Sequence, residues 1–125
     1  MTSSSFCELS LRQDGVEIFS ADVIPEEMPR HVPNGPKLPA NRSVELTLRR
    51  GSTRALLRVL LENEQLLQLR PERRDWTLQL GEKLRDQYGR AELTVESTDP
   101  HIPGAWTPVL SVTITIEADP AFQRL

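Results

Sequence analysis

Hydrophobic and polar residues alternate along most of this chain, most regularly near its end. From Val109 to Glu117, Leu110, Val112, Ile114 and Ile116 fall on one side, and Ser111, Thr113, Thr115 and Glu117 on the other. Successive side chains of a strand point to opposite faces, so this stretch predicts a strand with one buried and one wet face. Its residues are mostly β-branched, which suits a pleated surface. Ala91 to Ser97 repeats the pattern, with Ala91, Leu93 and Val95 inward and Glu92, Thr94 and Glu96 outward. Thr98 to Gly104 lies between them and is rich in chain breakers, so the two segments predict an antiparallel pair joined by a loop. Leu110 to Ile116 is too apolar for an open sheet edge. It is expected to be paired on both sides or capped by a partner.

The same period runs upstream. Phe6 to Arg12 predicts a first strand with Cys7, Leu9 and Leu11 inward, and Gln13-Asp14-Gly15 is a hairpin turn. Val16 to Val23 predicts the second strand, and its phase slips between Ile18 and Phe19, the sign of a bulge. Ser43 to Arg49 alternates with Val44, Leu46 and Leu48 inward, and Arg50-Gly51-Ser52 turns the chain. Trp76 to Leu80 follows with Trp76, Leu78 and Leu80 inward, and Gly81 to Gly89 suits a short helix near 82–88.

Two segments depart from the period. Residues 24–42 hold Pro25, Pro29, Pro33, Pro36 and Pro39. Proline removes a backbone donor and fixes φ, so neither sheet nor helix is expected there. A connection this long is either a rigid crossover between two sheets or an extended arm that docks on a partner. The spacings Pro33-x-x-Pro36 and Pro36-x-x-Pro39 suit the second role. Arg54 to Arg70 reads either as one leucine-rich helix or as two strands. The polar insert Glu62-Asn63-Glu64 and the strands on both sides favour two strands, because they keep the connections short.

The sum is about seven or eight strands with turns every eight to twelve residues, which predicts an all-β fold, an antiparallel immunoglobulin-like or Greek-key β-sandwich. The 125 residues fit a single domain, 1–125, with a tail at 118–125. Tyr88, just before the Ala91 strand, resembles the tyrosine corner of immunoglobulin-like sandwiches. No Cys–Trp–Cys set accompanies it, so the resemblance is one of architecture.

Charge modifies this picture locally. The net charge is −3 and the pI about 5.4, so nothing draws the whole chain to nucleic acid or an anionic membrane. Residues 49–74, however, carry seven arginines against three glutamates, a local excess of four positive charges. Cys7 is the one cysteine, so no internal disulfide forms and a reducing, cytoplasmic setting is expected. The start, Met-Thr-Ser-Ser-Ser, lacks a secretory leader pattern, and no apolar run exceeds three residues.

Catalytic signatures are missing. His31 and His101 lie in separate loops, with no metal-ligand spacing around them beyond the weak pair Asp99 and His101. No phosphate-binding glycine loop and no nucleophile elbow occurs. The sequence therefore predicts a non-enzymatic module without cofactor or metal. Its expected partner is another protein, docked at a strand edge or at the proline-rich 25–39 loop; nucleic acid and membrane are not expected, and a homo-oligomer is allowed. The candidate contact residues are Pro33, Pro36, Pro39, Arg50, Arg54, Arg73, Arg74 and Trp106. Two alternatives stand beside this reading. The arginine-rich turns of 49–74 could hold an acidic ligand or nucleic acid, since a guanidinium forks onto carboxylates and phosphates. Trp106 could stack against a sugar ring in a carbohydrate-binding module.

Overall fold

The computed structural model describes residues 5–39, 43–84, 89–99 and 102–117. The elements in order are β1 (Cys7–Gln13), β2 (Val16–Val23), a 3-10 turn (Pro25–Glu27), β3 (Arg30–Val32), β4 (Lys37–Pro39), β5 (Val44–Arg50), β6 (Leu57–Leu61), β7 (Glu64–Leu69), β8 (Asp75–Gln79), a helical turn α1 (Gly81–Leu84), β9 (Gly89–Asp99) and β10 (Ile102–Glu117). They form two facing sheets. One has the order β2-β1-β5-β8; the other runs β10-β9-β6-β7, with both β3 and β4 on the outer edge of β10. The pairing of β5 with β8 in one sheet and of β6, β9 and β10 in the other is that of an immunoglobulin-like sandwich.

The alternating apolar positions meet between the sheets. Cys7, Leu9, Leu11, Val44, Leu46 and Leu48 come from the first sheet, and Leu57, Val59, Leu61, Leu93, Val95, Leu110, Val112 and Ile114 from the second; each is at most 1% exposed. Burying one such leucine stabilises the fold by roughly 1.5–3 kcal/mol. The outward positions are polar and paired across strands, as with Thr47 and Thr77 at 2.9 Å and Gln79 on Glu45 at 2.9 Å. Cys7 is buried, and burial pushes its thiol from an ordinary 9.0 up to about 12.

Several expectations meet the structure directly. The ambiguous 54–70 segment is a hairpin of β6 and β7, turned by Glu62 and Asn63 at positive φ, 49° and 69°. Asp14 and Gly15, φ 52° and 82°, turn the first hairpin. Both pairs match the type I′ geometry that fits the twist of two strands. The bulge sits at Ile18: Leu11 opposes Phe19 and Arg12 opposes Glu17, so Ile18 has no opposite number.

Two expectations need correction. Residues 24–42 are not free of sheet. Residues 30–32 and 37–39 pair in parallel with β10, Val112 beside Val32 and Ile116 beside Leu38. Three-residue strands at an edge use few ladder donors, and Pro33 and Pro36 lie between the two strands, so these prolines remove none of the ladder. This is how the second edge of β10 is covered. The fit is close. Gly35 donates its backbone N–H to the Thr113 carbonyl at 2.8 Å, and a Cβ there would meet that oxygen at 2.5 Å. Secondly, the β9–β10 hairpin extends further than the alternation showed, to Asp99 and from Ile102, with irregular register between Ile102 and Trp106. The short helix is a single turn, Gly81–Leu84, within the stretch that suited one; residues 85–88, with Tyr88, lie outside the described residues, as do His101 and the tail at 118–125.

Candidate functional site

One end of the sandwich is built by crossings between the sheets. Here β1, β6 and β8 begin and β2, β5, β7 and β9 end. The connections cannot close over the core completely, and a hollow of about 840 Å³ remains between them. Its walls are Phe6 before β1, Pro25, Met28 and Pro29 from the crossover after β2, Ala55 and Leu56 before β6, Pro71 after β7, and Pro108 and Val109 of β10. Val109 reaches the wall through a second irregularity in β10, between Pro108 and Leu110, which buries two consecutive apolar residues. Thr53, Arg54, Ser97, Thr98 and Thr107 supply the polar groups of the rim.

Arg50 braces this end. Its Nε donates to the Arg73 carbonyl at 2.9 Å. Its Nη1 donates to the carbonyls of Thr53 at 3.2 Å and Ala55 at 2.5 Å, and its Nη2 to those of Leu69 at 3.0 Å and Arg70 at 2.7 Å. All five N–H donors of the guanidinium are thus used on the two connections that cross between the sheets. Burial holds its pKa below that of an ordinary guanidinium, against the opposing pull of Cys7 and Glu72. The wall is tied further by Leu56, whose N–H donates to Thr98 Oγ1 at 3.1 Å and whose carbonyl accepts from Thr98 N–H at 3.0 Å.

The arginine-rich turns gather at this same end. Arg50, Arg54 and Arg74 surround a second hollow of about 480 Å³, which shares Thr53, Arg54 and Pro71 with the first. A third, of about 670 Å³, adjoins through Glu72 and is lined by Arg70, Arg73, Leu66 and Trp76. The Arg73 guanidinium lies over the Trp76 ring, 4.4 Å from its centroid. Among the described residues, the side chains of Arg54, Arg70 and Arg74 make no ion pair or hydrogen bond.

The other singled-out residues lie elsewhere. Pro33, Pro36 and Pro39 flank or end the strands along β10, and the Pro36 carbonyl accepts from Thr115 N–H at 3.1 Å. They lie at the end of, or between, strands paired to β10 rather than on a free arm. Trp106 lies beside Thr98 in register, on the outer face of the second sheet. One face of its ring is covered by Arg58, 4.0 Å from the centroid, and Arg58 is itself paired with Glu96 at 2.6 Å. Among the described residues no group of His, Cys, Asp and Glu is placed to hold a metal ion, and no helix is long and apolar enough to cross a membrane.

Sequence reasoning missed the hollow, because six separate segments line it. It also placed Arg50 among the surface arginines, although a signal was present. Arg50 continues the inward phase of Val44, Leu46 and Leu48, whereas Arg49 points outward. An arginine in core phase at a strand end is placed to turn its guanidinium onto the connections rather than to solvent.

No protein-family model matches the chain, and no curated protein matches it. Among solved structures it is similar to the Clostridium thermocellum CbhA fibronectin(III)-like modules, with 18% identity, a TM-score of 0.44, and coverage of 70% of this chain and 87% of that one.

Proposed function

We propose that the protein is a non-catalytic interaction module that holds an extended segment of a partner protein at the hollow beside Met28, Leu56 and Val109. The observation that carries this reading is the hollow itself. An apolar concavity of about 840 Å³ with a polar rim is of the size and character that binds ligands. The expected docking region, the proline-rich loop, contributes through Pro25, Met28 and Pro29 as a wall, not through a mobile arm. The lining contains no carboxylate, histidine or cysteine, so no side chain in it exchanges a proton near neutral pH. That favours binding over catalysis. The cover of Arg58 on Trp106 argues against Trp106 as a sugar platform.

The test is a selection of random twelve-residue peptides displayed on phage, made on the wild-type protein. Ala55→Trp fills the hollow with a side chain and adds no charge. Binders are expected to lose about tenfold or more in affinity for Ala55→Trp, about 1.4 kcal/mol, while its circular dichroism matches wild type. A set of binders indifferent to Ala55→Trp refutes the reading.

A further inference from the structure

We infer that the segment held at the hollow is acidic beside its apolar anchor: a bulky apolar side chain fills the hollow, and carboxylates within a few residues of it lie on Arg54 and Arg74. This rests on the binding reading above and adds the chemistry of the partner.

The apolar hollow and the basic one are not separate sites, since Thr53, Arg54 and Pro71 line both. A chain leaving the first must pass Arg54 to enter the second, where it meets Arg74. The third depression continues the track past Glu72 to Arg70 and Arg73. Arg50 in the same region has all its donors satisfied by carbonyls and offers a partner only its field. Arg54, Arg70 and Arg74 are different: they are exposed and their guanidiniums have no side-chain or backbone acceptor among the described residues. A guanidinium presents a planar fork that fits a carboxylate with two parallel hydrogen bonds. Only Glu72 among the lining residues opposes this charge. A hollow of about 840 Å³ is about 9 Å across, the length of about three extended residues at ~3.3 Å each. Carboxylates two to four residues from the anchor therefore reach the arginines.

The apolar hollow decides between a protein segment and a nucleic acid. A polyphosphate chain gains from Arg54 and Arg74 but has nothing to place against Met28, Leu56 and Val109. A peptide that alternates a leucine or an aromatic residue with aspartate or glutamate uses both parts.

The peptides selected on the wild-type protein supply the test, with the double variant Arg54→Glu, Arg74→Glu beside Ala55→Trp. Neither arginine makes a bond the fold uses through its side chain, and matching circular dichroism verifies each variant. The expected result is that binders sensitive to Ala55→Trp are enriched in Asp and Glu within four residues of an apolar residue. Synthetic versions with Gln in place of Glu should bind about tenfold more weakly. The Glu forms should lose about tenfold or more on the charge-reversed variant, and weaken as salt rises. Binders that need the open hollow but show no acidic preference and no response to charge reversal overturn this inference and leave the binding reading standing. Binders indifferent to Ala55→Trp overturn both. Tight binding of a twelve-residue oligothymidine, lost on charge reversal and unchanged in Ala55→Trp, overturns the inference in favour of nucleic acid.

Discussion

Arg50, at the end of β5, donates through Nη2 to the carbonyl of Leu69, at the end of β7, across 3.0 Å. The two residues belong to opposite sheets, so one side chain joins the layers at the end where the hollow opens. Four further bonds from the same guanidinium shape the connections around it.

Arg50→Ala removes a donor from each of five carbonyls, of which that of Arg70 still accepts from the Arg73 N–H. Part of that loss is made good by water, because the group is only half-buried. The expected cost is about 2–4 kcal/mol, given roughly 1.5–3 kcal/mol for a single bond to a charged group before this discount. Arg50→Lys should recover less than half, since an ammonium has three donors on a point and cannot reach five separate carbonyls. Urea unfolding of the three proteins measures this. A midpoint for Arg50→Ala equal to wild type contradicts the brace.

Gly35 lies under the Thr113 carbonyl, with Val112 Cγ1 at 2.7 Å from where a Cβ would stand. Gly35→Ala must therefore push β10 and the crossover apart. The expected destabilisation is about 1–3 kcal/mol, the usual cost of an overpacked site. Thr115 N–H, which donates to the Pro36 carbonyl, should exchange with deuterium faster in the variant, and Val59 N–H in the centre of the sheet should not. Unchanged exchange at Thr115 contradicts the role assigned to the crossover.

Cys7 gives a pH dependence of known sign. Its thiol is pushed from 9.0 up to about 12 first by burial, then by Asp22. A raised folded-state pKa means that the neutral thiol is the form the fold prefers. Its contribution is complete below about pH 9 and is lost as the pH rises from 9 toward 12, where the unfolded chain ionises and the folded one does not. Each unit of pH in that window costs about 1.4 kcal/mol. Cys7→Ala should show a smaller fall in stability between pH 8 and about 10.5 than wild type. Parallel curves for the two proteins contradict the burial of the thiol.

Arg58 stands over Trp106 and pairs with Glu96, both half-exposed on the outer sheet face. Such contacts are worth about 0.5–1 kcal/mol each at exposed sites. Arg58→Met should destabilise by about 1 kcal/mol and change the emission of Trp106. The emission of Trp106 read in a Trp76→Phe background isolates the effect, and an unaltered spectrum there counts against the stacked geometry.

Much of the fold was legible because a half-buried strand writes its two faces into the sequence. Leu110 to Ile116, Val44 to Leu48 and Cys7 to Leu11 could not alternate so regularly as anything else. Even Ile18 was visible, as a slip of phase. Residues 30–32 and 37–39 left no such trace. Each of these three-residue parallel edge strands supplies one inward apolar residue, Val32 in one and Leu38 in the other, and one residue makes no period. The hollow was illegible for another reason. It is a property of where crossings end in space, and Phe6, Met28, Leu56 and Val109 meet there from four distant stretches. The arginines were visible as a cluster, but composition alone does not separate Arg50, whose donors are all internal, from Arg54 and Arg74, which remain available.

The proposed partner site lies at this end of the sandwich. The most direct measurement is a titration of the 15N-labelled protein with a selected acidic-apolar peptide, following backbone amide shifts. Shifts concentrated at Ala55, Leu56, Thr98 and Thr107, with a weaker trail through Arg54 and Arg74, are predicted. Shifts concentrated instead along the open edges of β2 or β7, with these amides unmoved, would contradict it.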